Sequence, residues 1–172
     1  MIIRQETEKD FKEIYNLVKI AFETAKVSNG KEQNYVSELR AGKNYIPELA
    51  LVAEQEDRII AHIMLTKFYI QTDKGNKKES LLLAPLCVKL EYRNEKIGAA
   101  MIKKSFEIAE NMGYESVFLV GDPNYYYRFG FRQSTDYNIK NIDTIEAKYV
   151  MAFELAKDAF KDVSGTVSFF NY

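Results

Sequence analysis

Residues 121–131 read GDPNYYYRFGF, a turn followed by three consecutive tyrosines and an arginine set among aromatic residues. Packing alone does not ask for phenols, because a buried hydroxyl needs a partner where Leu or Ile needs none. A phenol has a pKa of about 10 and stays protonated at neutral pH. It can therefore donate a proton to a leaving group that departs with negative charge, so the hydroxyls of Tyr125, Tyr126 and Tyr127 are candidates for chemistry. The alternative is that all three hydroxyls cap an aromatic cluster. Arg128 offers a cation for a carboxylate or phosphate, or else stacks on its neighbours and pairs with an acid.

A second stretch, LCVKLEYRNEKIGAAMI over 86–102, runs from an apolar strand through a short loop into a helix. Unpaired N–H groups at a helix start, with the positive end of its dipole, form a ready anion site. Gly98, Ala99 and Ala100 keep side chains clear of a close ligand, and Arg93 and Lys96 add countercharge. The competing reading is that small residues there let the helix pack closely on a sheet.

Four further residues invite chemistry. Cys87 is a possible nucleophile, but it has no histidine beside it in sequence, and a lone buried cysteine behaves as a small hydrophobe. His62 sits inside an apolar strand, where a satisfied structural histidine competes with a general base. Glu79 and Asp122 stand near strand ends as candidate bases or as solvated turn residues. The base stays open among these three and water.

Composition narrows the classes. The chain has 172 residues, enough for one domain with a substantial core. Its 24 basic and 25 acidic residues give a net charge of -1, which argues against nucleic acid as the partner. One cysteine and one histidine argue against a disulfide framework and against a zinc site. The sequence shows neither a signal-peptide pattern at its start nor an apolar run of membrane-spanning length, so a cytoplasmic protein without membrane association is expected.

The elements that must hold these residues follow from periodicity. MIIRQ reads as a short strand, and TEKD predicts a capping box with Thr7 at the cap and Asp10 closing it. Phe11, Ile14, Tyr15, Val18, Ala21 and Phe22 then keep helical spacing, and a weaker helix is expected over Glu32–Arg40. ELALVAEQ, RIIAHIMLTKFYIQT and LLLAPLCVKL predict three strands joined by hairpin turns at EDR and DKGNKKES. A helix with an Ile97, Met101, Ile102, Ala109 and Met112 stripe stops at Gly113, and the wholly apolar SVFLV predicts a strand covered on both faces. YVMAFEL and GTVSFF complete the strands, with a polar stretch before them. The order is that of a mixed α+β domain around a largely antiparallel sheet.

The motif V-K-L-E-Y-R-N-E-K-I-G-A resembles the acyl-CoA signature of the GNAT superfamily of N-acetyltransferases, V-x-P-x-x-[RQ]-x-x-G-x-[GA], with Val88, Arg93 and Gly98 on matching positions. Leu90 stands in place of its Pro and Lys96 in place of its first Gly. YYYRFGF resembles the family element Y-x-x-x-G-F, with Tyr126 as its tyrosine. The string GDPNYYYRFGF with AHI and LAPLCV is similar to a bacterial subgroup of predicted acetyltransferases.

The resemblance implies one GNAT-like domain over 1–172, with a central twisted sheet of six to seven strands and a splayed central strand pair near Pro85. It implies acetyl-CoA as co-substrate, no metal, and acetyl transfer to a primary amine of a small molecule or protein by direct attack in a ternary complex. Main chain at Leu86, Cys87 and Val88 would hold the pantetheine arm and the oxyanion. The turn of Arg93, Asn94, Glu95, Lys96, Ile97, Gly98 and Ala99 would hold the pyrophosphate. Asn124 would lie against the pantetheine, or serve as an ordinary turn residue. Tyr126 would be the general acid toward the departing thiolate, whose conjugate acid has a pKa of about 8.5 by analogy with cysteine, with Tyr125 in its place if the local helix starts one residue earlier. A non-catalytic acyl-CoA sensor or a protein-interaction domain, with VSFFNY as its surface, is the alternative, and a homodimer is left open.

Overall fold

The computed structural model describes residues 1–26 and 28–170. Contacts divide the chain into two compact units, Met1–Thr66 with Leu83–Ala109, and Lys67–Leu82 with Glu110–Tyr172.

In the first unit, β1 (Ile2–Gln5) runs antiparallel to β2 (Ala50–Gln55), which pairs antiparallel with the first half of β3 (Arg58–Thr72). The β2–β3 turn is formed by Glu56 and Asp57 at φ 51° and 58°. Two consecutive left-handed residues are what a two-residue hairpin matching strand twist requires. The end of β4 (Lys77–Val88) continues the order β1-β2-β3-β4. Helix α1 (Phe11–Phe22) starts where the capping box predicts, with the Thr7 N–H donating to Asp10 Oδ2 at 2.7 Å. Its Ile14, Leu17, Val18 and Ala21 are buried at helical spacing. Helix α2 (Glu32–Ala41) packs against α1, and α3 (Ile97–Asn111) buries Ile97, Met101, Ile102, Phe106 and Ala109.

The second unit holds the other halves of β3 and β4, then β5 (Ser116–Val120), the short helix α4 (Pro123–Tyr126), β6 (Arg132–Gln133), β7 (Ile139–Asn141), β8 (Val150–Glu154) and β9 (Gly165–Val167). Its order is β3-β4-β5-β8-β6, with β9 on β3 and β7 on β9. The parallel pairing of β4 with β5 sets Leu81 opposite Val117 and Leu82 opposite Phe118. β5 is antiparallel to β8, and all of SVFLV from Ser116 to Leu119 is buried. Phe68, Phe118, Phe160 and Phe169 form an aromatic core with ring centroids 5.1–5.6 Å apart.

The fold is thus mixed α+β with mostly antiparallel pairing, and the described residues contain nine strands where six to seven were expected. β6 and β7 account for the excess. At two and three residues they are too short to show alternation, and pairing to β8 and β9, not their own pattern, makes them strands. β4 also begins four residues before its apolar run, because the β3 hairpin carries polar Lys77–Ser80 into the ladder. Of the aromatic C-terminal segment, Asn171 and Tyr172 lie outside the described residues.

Candidate active site

The first unit carries the Arg93–Ala99 turn. Arg93, Asn94, Glu95 and Lys96 are exposed, and the chain enters α3 at Ile97 and Gly98, both buried, with Ala99 half-buried. Ala100 N–H donates to the Lys96 carbonyl at 3.0 Å, so Lys96 is the cap and the N–H groups of Ile97, Gly98 and Ala99 precede the first intrahelical bond. Lys96 has φ 62° and Asn94 φ 68°. A left-handed cap explains why glycine suits this position, and Lys96 occupies it with the same backbone. The side chain of Arg93 turns the other way: its guanidinium donates to Ala21 O and Thr24 Oγ1, both at 2.8 Å, at the C-terminal end of α1. Arg93 thereby fixes the loop to α1 through a cation at the negative end of the helix.

Leu86, Cys87 and Val88 end β4, with Leu86 and Val88 half-buried and Cys87 buried. Burial pushes the Cys87 thiol up to about 12. It stays protonated at neutral pH, which removes it as a nucleophile.

Next to it lies a buried polar cluster that sequence reasoning missed apart from His62. Glu6, just past β1, accepts from Arg40 Nε at 2.7 Å and Nη2 at 2.9 Å, from the Tyr45 hydroxyl at 2.9 Å, and from His62 Nε2 at 2.8 Å. Burial works to raise the Glu6 carboxyl, but the bonds from His62 and Arg40 outweigh it and hold the group at about 2. Burial pushes His62 below its ordinary value, against the opposing pull of Glu6. Glu6 and His62 side chains are fully enclosed. The partners of Glu6 lie 34 to 56 residues from it in sequence, so no spacing announces them. The one available signal was an ionisable ring in an apolar strand, which demands a buried partner.

The second unit carries the tyrosines. Asp122 caps α4, accepting from Asn124 N–H at 3.0 Å. Asn124 is exposed and Tyr126 half-buried on α4. A Cβ on Gly121 would stand 2.5 Å from Tyr126 Cε2, so the glycine of GDP is what lets the Tyr126 ring lie against the main chain. Tyr126 also packs edge-on against Tyr125 and Phe131, at 4.9 and 5.6 Å. Arg128 is exposed and stacks over Tyr125 at 4.1 Å and Phe129 at 4.9 Å. Gly130, at φ 91°, ends the segment in the left-handed conformation its motif needs. Glu79 is an exposed residue of β4.

Among the described residues no cluster of three or more His, Cys, Asp or Glu is placed to hold a metal ion, and no helix is long and apolar enough to cross a membrane. A left-handed cap opening a helix after a strand, in the first unit, and a tyrosine four residues before a left-handed glycine, in the second, are the elements that the two sequence motifs describe. The family model of the GNAT acetyltransferase domain matches residues 2–134. The chain belongs to the GNAT acetyltransferase family.

Two relatives from Escherichia coli support this placement. The uncharacterized N-acetyltransferase YjhQ is 34% identical over 63% of this chain and 60% of its own length. The uncharacterized N-acetyltransferase YhbS is 26% identical over 98% of this chain and 96% of its own. The crystal structure of YhbS in complex with CoA matches with a TM-score of 0.85 at 26% identity, covering 97% of this chain and 88% of that one. A GNAT family acetyltransferase from Brucella melitensis in complex with acetyl-CoA matches with a TM-score of 0.73 at 29% identity, covering 90% and 88%. Within this GNAT chain, the Arg93–Ala99 turn and Leu86–Val88 lie in the first unit, and Asn124 and Tyr126 in the second.

Proposed function

We propose that the protein is a cytoplasmic, acetyl-CoA-dependent N-acetyltransferase acting on a primary amine of a small molecule or protein. The observation that carries the reading is the Arg93–Ala99 turn: a left-handed cap at Lys96 presents the N–H groups of Ile97, Gly98 and Ala99 beside exposed cationic Lys96. That arrangement suits a pyrophosphate. The structures of relatives bound to CoA and to acetyl-CoA support the choice of ligand.

In this reading, main chain at Leu86 and Val88 pairs with the pantetheine amides, and an N–H near Leu86 or Cys87 donates to the oxyanion. The amine nitrogen attacks the thioester carbon, the C–N bond forms as the C–S bond breaks, and the leaving thiolate takes the Tyr126 proton. Asn124 contacts the pantetheine arm. Glycine at 121 and the α4 cap formed by Asp122 are consistent with a tyrosine whose ring is held in one place.

The test is a panel of amines scored by release of the free CoA thiol, with calorimetry for CoA run beside it. Saturable CoA binding with amine-dependent thiol release is expected. Binding without release with any amine points to an acyl-CoA sensor instead, and absence of binding rejects both.

A further inference from the structure

Four groups bond Glu6, and each of its oxygens accepts two of them. An ionised carboxylate has no proton to give, so His62 Nε2 must be the donor in their 2.8 Å contact. Burial disfavours the charged imidazolium, so the resting ring is neutral. These two constraints fix the tautomer: the proton is on Nε2, and Nδ1 carries a bare lone pair. Nδ1 is buried and has no hydrogen-bond partner among the described residues. An unsatisfied acceptor at such a depth calls for an explanation.

The position of the ring supplies one. Lys89 N–H donates to Ile60 O at 2.8 Å, a register that sets His62 on β3 across from Cys87 on β4. The Cys87 thiol in turn interacts with the His62 main chain. Facing cross-strand residues have Cβ atoms about 4.5–5.5 Å apart. His62 is thus a direct neighbour of the β4 segment to which acyl transfer is assigned. A neutral imidazole, oriented by a carboxylate on one nitrogen and open on the other, is the arrangement of a positioned base.

We propose that His62, oriented and charge-compensated by Glu6, receives through one bridging water the proton that the acceptor amine loses. The proposal rests on the acetyltransferase reading above. The amine nitrogen gives its proton to the water as the C–N bond forms, and the water gives one to Nδ1. The resulting imidazolium keeps its Nε2–H bond to the Glu6 carboxylate. The thiolate is protonated separately, and His62 returns its proton to solvent before the next turnover. Arg40 holds Glu6 ionised and, with the Tyr45 hydroxyl, aligned, so both are positioning residues. The ionisable groups facing the ring are Glu6 past β1, Arg40 on α2, Tyr45 beyond α2 and Cys87 on β4.

His62 is the sole histidine of the chain, so its ring nitrogens can be observed without assignment by mutation. Nitrogen-15 NMR of the unaltered protein should show protonated Nε2 and unprotonated Nδ1 at neutral pH; the opposite tautomer overturns the proposal. The companion variant is His62→Gln, whose amide nitrogen can keep the bond to Glu6 but offers no basic lone pair. Thiol release by the unaltered chain reports on acetyltransferase activity by itself, and the variant-to-parent ratio reports on the dyad. The expected result is kcat lowered about 10²-fold with CoA affinity unchanged, and loss of the acid limb that the parent's kcat/KM shows below about pH 6.5. A variant that keeps parental turnover, or that loses rate while retaining the parent's pH profile, overturns it.

Discussion

Tyr126 and Lys96 show how a single position can be chosen by its backbone surroundings before any chemistry. The Tyr126 ring sits where only a residue without a Cβ at 121 leaves room for it. Removing the hydroxyl leaves that packing intact, so Tyr126→Phe should lower kcat by about 10²-fold with little change in CoA affinity. If Tyr125→Phe alone removes turnover, the acid is one residue earlier. Lys96 occupies the left-handed region that a side chain disfavours by about 1 kcal/mol. Lys96→Gly should therefore raise Tm by about 2–4 °C in calorimetry. The same variant should bind CoA more weakly at low salt than the parent, with the gap narrowing as salt screens the lost charge. A gap that ignores salt means the Lys96 ammonium does not meet a phosphate. Of these details the sequence announced the motif positions. It did not announce that Lys96 keeps the glycine backbone, because φ has no signature in residue type outside Gly, Asn and Asp.

Elements differ in how openly the chain declares them. The bounds of β3 and β5 match the runs RIIAHIMLTKFYIQT and SVFLV because apolar content and turn residues coincide at their ends. α1 is legible for a different reason, since its stripe and the Thr7–Asp10 box agree. β6, β7 and the Glu6–Arg40–Tyr45–His62 cluster were not legible, because each exists only through partners distant in sequence. β9 is the short element with the sharpest local requirement. A Cβ on Gly165 would fall within contact of the Gln71 carbonyl and 2.8 Å from Thr72 Cα, both main-chain atoms that cannot swing aside. Gly165→Ala should detach β9 from β3, lowering Tm by several degrees and opening the C-terminal segment to protease. Parental Tm and parental cleavage in that variant would show that β9 tolerates the shift.

For the whole molecule, the buried ionisable groups give stability a definite slope with pH. The folded carboxyls of Glu6 and Asp10 both lie at about 2, held there against burial by His62 and Arg40 for Glu6, and chiefly by Arg4 for Asp10. Each unfolded carboxyl binds its proton near the ordinary value of 4.5 or 3.8, so stability is present above those values and is lost as pH falls toward 2. His62 adds a second window with the same sign. The unfolded ring takes a proton near 6.5 while the buried ring resists it, so stability also falls as pH drops below that value. Urea midpoints should decline in two stages, the first starting near about pH 6.5. His62→Gln should remove the first stage and spare the second; a parent without the first stage would mean that the ring is charged in the fold.

The interruption of the first unit at Thr66 and its resumption at Leu83 has a consequence for synthesis. A nascent chain reaches Ala109 with all of that unit translated, yet already carries the Lys67–Leu82 hairpin, whose partners β5 and β9 are still to come. Phe68, Ile70, Leu81 and Leu82, all fully or nearly fully enclosed in the finished protein, must wait without those strands until the last third of the chain has emerged. A ribosome pause in that interval would leave an apolar ribbon with open hydrogen-bonding edges, the kind of surface that chaperones hold.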